Sequence, residues 1–425
     1  MNKSIIIISD FDGKIVVFNS EAEKLFKCKK STILDIKRIY NLVHDVSIMG
    51  FIKNFESITC GDKEFSENTV TCLYPNGAKF YCIFKMVKAV DYLIIEVVKI
   101  KRSFFRKNNE YKSFFIEKVN IIFRSKFLMG SIIPFIFSFI LSICKFSHVS
   151  YNLFFLLFIS VILLHTVANT FNDYFDWISG RDKKNLDYVL FSTGGSRAIE
   201  FNIISEKNLL LISVLLSIIV TLIGVYFIYI KGHIILIIGL ISLFSIYFYS
   251  APPIHLASRY GLGELMHIFC LGPLITYGTL YMLTDQILLF SDFLIGIPFG
   301  LLITGCLLMN EHPDSKFDKL SGKINLAVLL GKIYIPYLYL LLFFSSFLII
   351  FYGIYYSYFP LYFFLICFIL PYGFSSIKSI FKIRMRNRRY VFESCAKSFN
   401  VYFFFSLILI LLLIVDLFFI KIYPW

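Results

Sequence analysis

The chain has 425 residues, 58% of them hydrophobic and 19% aromatic, and a mean hydropathy of +0.74. A soluble globular chain is roughly 45–50% apolar, so the composition excludes an ordinary soluble enzyme and makes the lipid bilayer the first expected partner. The formal charge of +14 does not indicate nucleic acid, because the Lys and Arg residues stand mostly between apolar runs, as topology signals facing an anionic leaflet.

Residues 1–100 read as a small α+β domain. Ser4–Ser9 is a predicted strand, Asp12-Gly13 a tight turn and Lys14–Phe18 the partner strand. Asn19 or Ser20 caps a short helix through Leu25 and Phe26. Pro75-Asn76-Gly77 turns between strands Thr69–Tyr74 and Lys79–Met86, and Tyr92–Ile100 closes the region. The nine cysteines form no CxxC pair, so neither zinc nor a disulfide framework is indicated. The run Ile5–Ile8 is too brief for the apolar core of a signal peptide. Two strands, short helices and three strands resemble a PAS domain, on the evidence of Asp10–Asn19, Glu21–Phe26, Leu42-Val43-His44 and Asn76-Gly77. The resemblance implies a cytoplasmic sensory unit with a ligand or dimer partner of its own. His44 stands where some PAS-like domains place a haem-facing residue, but an ordinary hydrogen-bonded histidine is the better reading.

Residues 101–126 form a basic linker with interleaved Phe and Ile, including Arg102, Lys118, Arg124 and Lys126. This suits a helix on the inner leaflet, or a plain positive flank to the first span. Residues 127–425 give nine apolar segments, near 127–147, 153–172, 207–230, 233–250, 262–284, 290–309, 333–356, 358–378 and 400–420, each near the length that crosses a bilayer. The expected fold is thus an all-α polytopic membrane bundle of nine transmembrane helices behind a small α+β head. Basic residues crowd the loops after the second, sixth and eighth segments, and the intervening loops hold almost none. The positive-inside rule puts those loops and the head in the cytoplasm, in the inner membrane of a cell.

Two acidic clusters sit where a span meets a cytoplasmic loop. The first is Asn172-Asp173-Tyr174-Phe175-Asp176, continuing to Asp182; the second is Asn310-Glu311-His312-Pro313-Asp314, continuing to Asp318. Asn172 and Asp176 are four apart, as are Asn310, Asp314 and Asp318, so on a helix each set shares one face. Amide and carboxylate oxygens suit a hard cation, and Mg²⁺ is typically held by a few carboxylates plus substrate phosphates. Solvated loop carboxylates are the bland alternative. The same Asn-x-x-x-Asp opening, twice, on one side of the membrane, weighs against it.

These clusters resemble the two aspartate-rich motifs of the UbiA superfamily of intramembrane prenyltransferases, over residues 115–420. Ser192–Arg197, Tyr249–Pro253, Gly261–Glu264 and Gly322–Gly331 carry the rest of the likeness. The resemblance implies a Mg²⁺-dependent transfer from a polyprenyl diphosphate to an aromatic acceptor. The spacing of the first motif is similar to the menaquinone-type branch, which prenylates 1,4-dihydroxy-2-naphthoate. Asn172, Asp176 and Asp182 would hold one Mg²⁺, and Asn310, Asp314 and Asp318 the other, with Asp176 and Asp314 central to catalysis. Arg197 and Lys323 would contact the diphosphate, against a competing reading as topology charges. Asp173, about 100° round the helix from Asn172, ranks lower. Glu311-His312-Pro313 departs from the commonest motif and leaves the acceptor open. Two alternatives stand beside this reading: a membrane sensor on an inactive bundle, and the same chemistry with another acceptor.

Overall fold

The computed structural model describes residues 4–10, 14–29, 31, 33, 39–43, 51, 54–55, 57–58, 63–73, 79–89, 92–100, 111–184, 194–201, 203–284, 286, 289–382 and 388–420. The chain divides into two compact units, Met1–Ile122 with Arg197–Ser205, and Phe123–Ser196 with Glu206–Trp425.

In the first unit, β1 (Ile5–Ser9), β2 (Ile15–Phe18), β3 (Phe65–Leu73), β4 (Lys79–Lys88) and β5 (Leu93–Ile100) form one antiparallel sheet in the order β2-β1-β5-β4-β3. One face is covered: along β5, Leu93, Ile95 and Val97 are buried while Ile94, Glu96 and Val98 are exposed, the alternation of a half-buried sheet. Helix α1 (Ser20–Phe26) starts where the Asn19 side chain accepts the Ala22 N–H at 2.9 Å. Its Phe26 packs on Phe18 and Phe80, with ring centroids 5.8 and 5.4 Å apart. Two strands, helical turns and three strands are the order that the PAS resemblance implies. Strand β3 starts at Phe65, ahead of the expected Thr69, because pairing with β4 runs back to Val87. The turns at 12–13 and 75–77, His44 and residues 101–110 lie outside the described residues.

In the second unit, nine helices among the described residues are long and apolar enough to cross a membrane: Ser125–Lys145, Tyr151–Ile178, Glu206–Lys231, His233–Ser250, Leu262–Thr284, Phe290–Leu320, Leu326–Tyr355, Leu361–Lys382 and Tyr390–Phe418. They are called the first to ninth spans below. The protein is a multi-pass membrane protein, and each expected segment overlaps one of these helices. The second and sixth run past the expected ends at 172 and 309, because a helix needs backbone hydrogen bonds rather than apolar side chains to continue. Pro313 lies inside the sixth span, where its missing N–H frees the Met309 carbonyl. The Cys395 thiol, 3.5 Å away, donates to that carbonyl instead. In the seventh span the backbone turns at Gly331 (φ +72°), a conformation that favours glycine, so the straight membrane helix starts close to the expected residue 333.

Phe137, Phe299, Tyr339, Phe343, Tyr402 and Phe405 pack the core between the first, sixth, seventh and ninth spans. A second core joins Phe135, Leu157, Phe227 and Met282. The fifth and sixth spans meet backbone to backbone: a Cβ on Gly300 would overlap the Ile268 carbonyl. That approach fixes the sixth span, and with it the second acidic row. The Tyr260 N–H donates to the Ile324 carbonyl at 2.7 Å, tying the loop before the fifth span to the loop after the sixth.

Candidate active site

The first acidic row occupies the last turns of the second span. Asn172 Nδ2 donates to Asp176 Oδ2 at 3.2 Å and to Ser250 Oγ at 2.8 Å. The other Asp176 oxygen takes Arg181 Nη1 at 2.7 Å. Arg181 Nη2 lies 2.9 Å from His255 Nε2. A guanidinium only donates, so that nitrogen accepts and the ring is neutral. Burial, then the charge of Arg181, push the His255 pKa below its ordinary value. Arg124 Nη1 donates to Asn172 Oδ1 at 3.1 Å and reaches Asp173 Oδ1 at 3.5 Å.

The second row, Asn310, Asp314 and Asp318, runs up one face of the sixth span. Asp314 Oδ2 accepts the Gly194 N–H at 3.0 Å. Asp318 Oδ2 accepts from Lys323 Nζ at 3.2 Å and Asn325 Nδ2 at 3.0 Å. Lys323 is also 3.7 Å from Glu311 Oε1. Burial alone would lower the Lys323 pKa; Asp318 and Glu311, then Asp176, outweigh it and hold the ammonium well above its ordinary range. Lys323 is therefore a fixed cation within reach of both rows. Asn310 has no hydrogen-bond partner among the described residues and faces open space.

A short loop stitches the rows together. Gly194 donates to Asp314 of the second row, and Ser196 N–H donates to Asp173 Oδ1 of the first motif at 3.3 Å. Gly194 and Gly195 both have left-handed φ, +73° and +77°. A Cβ on Gly195 would sit 3.0 Å from Asp173 Oδ1. Asp173, 4% exposed, braces this loop rather than lining the open space.

Both rows form the polar end of one cavity of about 970 Å³. Asn172, Asp176, Asp182, Asn310, Asp314, Asp318 and Lys323 all line it. Its far end is apolar, with Leu157, Val161, Phe227, Ile235 and Met282. Leu157 precedes Asn172 by 15 residues on one helix, a rise of about 22 Å. Arg197 is not among the lining residues; it belongs to the other compact unit, where its buried guanidinium pairs with Glu200 at 3.2 Å. Arg124, Arg181, Ser250, Asn325 and the Gly194 amide join the site without having been singled out from the sequence as site residues. The basic linker held Arg124, and the stretches Ser192–Arg197, Tyr249–Pro253 and Gly322–Gly331 held the loop, Ser250 and Asn325, without marking them as site residues.

The donor set bears on Mg²⁺. The row oxygens are all carboxylate or amide, the type a hard cation takes. Among the described residues, no three His, Cys, Asp or Glu side chains converge into a ready cage. Each row alone offers too few oxygens, and the nearby charge is balanced by Arg124, Arg181 and Lys323. Such half-sites fit an ion that shares its coordination with water and substrate phosphates rather than one held permanently.

The model of the UbiA prenyltransferase family matches residues 131–408, more than half of the chain. The chain belongs to the UbiA prenyltransferase family. The matched region contains both acidic rows, the glycine loop and Lys323. Over 179 residues the chain is 28% identical to a 1,4-dihydroxy-2-naphthoate octaprenyltransferase of Bacillus subtilis. That match covers 42% of this chain and 55% of the relative, so the chain spans about half the length of the curated relative it matches. Among solved structures, a UbiA homolog from Aeropyrum pernix K1 is 14% identical, with a TM-score of 0.49, covering 68% of this chain and 97% of that one. The head is similar to the PAS domain of the RpfR quorum-sensing receptor of Cronobacter turicensis: 18% identity and a TM-score of 0.22, over 24% of this chain and 97% of that one.

Proposed function

We propose that this UbiA-family protein is a Mg²⁺-dependent prenyltransferase that moves a polyprenyl group from its diphosphate to an aromatic acceptor, 1,4-dihydroxy-2-naphthoate in menaquinone biosynthesis. The observation that carries the reading is the pair of amide–carboxylate rows at the polar end of a long apolar cavity. The naphthoate rests on the spacing of the first motif and on the activity for which the Bacillus relative is named. The proposed organisation is a PAS-like sensory head over residues 1–100, a basic linker over 101–126 and the enzyme over 127–425. The head and the acidic rows face the cytoplasm from the inner membrane, and the head takes a ligand or dimer partner of its own.

The residues divide the work. Arg124, Arg181 and Lys323 place positive charge at the end where the diphosphate departs, which favours the charge that develops there. Asn172, Asp176 and Asp182 would hold one Mg²⁺ and Asn310, Asp314 and Asp318 the other; when bound, Mg²⁺ neutralises the leaving diphosphate. The apolar walls hold the isoprenoid and exclude water, so an electron-rich ring meets the allylic carbon first. Arg197, paired with Glu200, is the weaker diphosphate candidate beside Lys323. Incubation of the purified protein with a labelled polyprenyl diphosphate and the naphthoate tests the reading; it predicts prenylated product that disappears with EDTA.

A further inference from the structure

Two histidines interrupt the apolar wall of the cavity. His165 on the second span and His267 on the fifth both line it, and both are half-buried. Each ring has one nitrogen engaged: His165 Nδ1 lies 2.5 Å from Ser131 Oγ, and His267 Nδ1 lies 2.8 Å from Thr304 Oγ1. Neither Nε2 has a protein partner among the described residues. The two hydroxyls therefore fix the rings by their back edges and leave the front edges to the cavity. Their depth matches. His165 precedes Asn172 by seven residues, about 10 Å of helix, and Thr304 precedes Asn310 by six, about 9 Å. The imidazoles stand at about one level, roughly 10 Å below the acidic rows, and are close enough to interact electrostatically.

That level constrains the occupant. A diphosphate gripped by Lys323 and Arg181 would put its allylic carbon a few ångströms below the rows. An isoprenoid chain has no polar atom to offer, and against it both Nε2 atoms would stay unpaired, which is unfavourable. A flat ring edged with hydroxyl or carboxylate groups would satisfy both. We propose that His165 and His267 form the acceptor subsite, binding through Nε2 the polar edge of a hydroxylated aromatic ring and so choosing which ring carbon meets the allylic diphosphate. This rests on the prenyl-transfer reading above.

Asn and Gln substitutions separate this role from a structural one. Asn carries its polar group near the position of Nδ1, and Gln near that of Nε2. The full chain is assayed in nanodiscs as wild type and as His165→Asn, His165→Gln, His267→Asn and His267→Gln, with 1,4-dihydroxy-2-naphthoate and its di-O-methyl ether as acceptors. The Asn variants are expected to raise the KM for the free naphthoate about tenfold, the scale of one lost hydrogen bond to a ligand. The KM for the polyprenyl diphosphate should stay within about twofold, and the Gln variants should recover most of the loss. With the ether, which keeps only the carboxylate of the three polar groups intact, the gap between wild type and Asn variants should narrow. Unchanged acceptor KM in both Asn variants overturns the subsite, as does an equal rise for both substrates, or tolerance of Asn with loss in Gln. Absence of transfer by the wild type to any aromatic acceptor instead overturns the enzyme reading, and the subsite with it.

Discussion

Lys323 is the most informative single position to perturb. Its ammonium is 3.2 Å from Asp318 Oδ2 and 3.7 Å from Glu311 Oε1, and the three side chains are only 16%, 12% and 8% exposed. At an effective dielectric of about 20, one such contact is worth about 4 kcal/mol before desolvation. Lys323→Met removes the cation and leaves two carboxylates in a nearly closed site. Breaking a buried pair in this way costs about 3–5 kcal/mol, largely because the stranded charge has lost its partner. Thermal unfolding in detergent should show it as a midpoint lower by on the order of 5 °C. Adding Glu311→Gln removes one stranded charge and should recover about half of the loss, while Asp318 keeps its hydrogen bond from Asn325. Mg²⁺ should stabilise the Lys323→Met protein more than the wild type, since a vacated carboxylate is a better ligand than one in an ion pair. A midpoint equal to wild type, or a double variant no better than the single one, would refute the reasoning and make Lys323 an ordinary solvated charge.

Other substitutions address the rows and the loop between them. Asp176→Asn and Asp314→Asn should each abolish transfer, by about 100-fold or more, yet leave a protein that inserts and elutes as the wild type does on size exclusion; full activity in both would remove these residues from the site. Gly195→Ala forces a side chain into φ +77° and brings Cβ to 3.0 Å from Asp173 Oδ1. The conformational strain is about 1–3 kcal/mol, and turnover should fall at least about tenfold as Asp173 and the Gly194–Asp314 contact shift. Turnover at the wild-type level would show that the loop does not set the spacing of the rows.

The fold was readable because a bilayer leaves few choices. A spanning segment must satisfy its own backbone and show apolar side chains to lipid, so the nine apolar runs announced the nine long apolar helices found among the described residues. Hydropathy misplaced the ends that matter for function. The polar turns from Asn172 to Ile178 and from Asn310 to Leu320 continue the helices although their side chains are no longer uniformly apolar. The i, i+4 spacing of the two rows was legible, because a helix turns the same way whatever surrounds it. The demotion of Asp173 follows from the same 100° step; the structure buries it against Ser196. The partners of the rows were not legible. Arg124 and Arg181 look in sequence like any basic residue flanking a span, and only the return of the chain shows that they meet Asn172 and Asp176. Arg197 and Lys323 looked equivalent, each a cation beside a glycine-containing stretch. Lys323 lines the cavity, whereas Arg197 pairs with Glu200 in the other unit. His165 carried no signal in the sequence, since a single histidine on an apolar helix is unmarked until the facing helices are known.

The central claim is tested most directly by one incubation. The full chain, purified into nanodiscs, is mixed with a radiolabelled polyprenyl diphosphate, Mg²⁺ and 1,4-dihydroxy-2-naphthoate, with parallel reactions containing EDTA. The account predicts a labelled prenylated naphthoate that forms with Mg²⁺ and is absent with EDTA. Folded protein that gives no labelled product from this or any other aromatic acceptor would contradict it, and would move the search for function to the N-terminal unit.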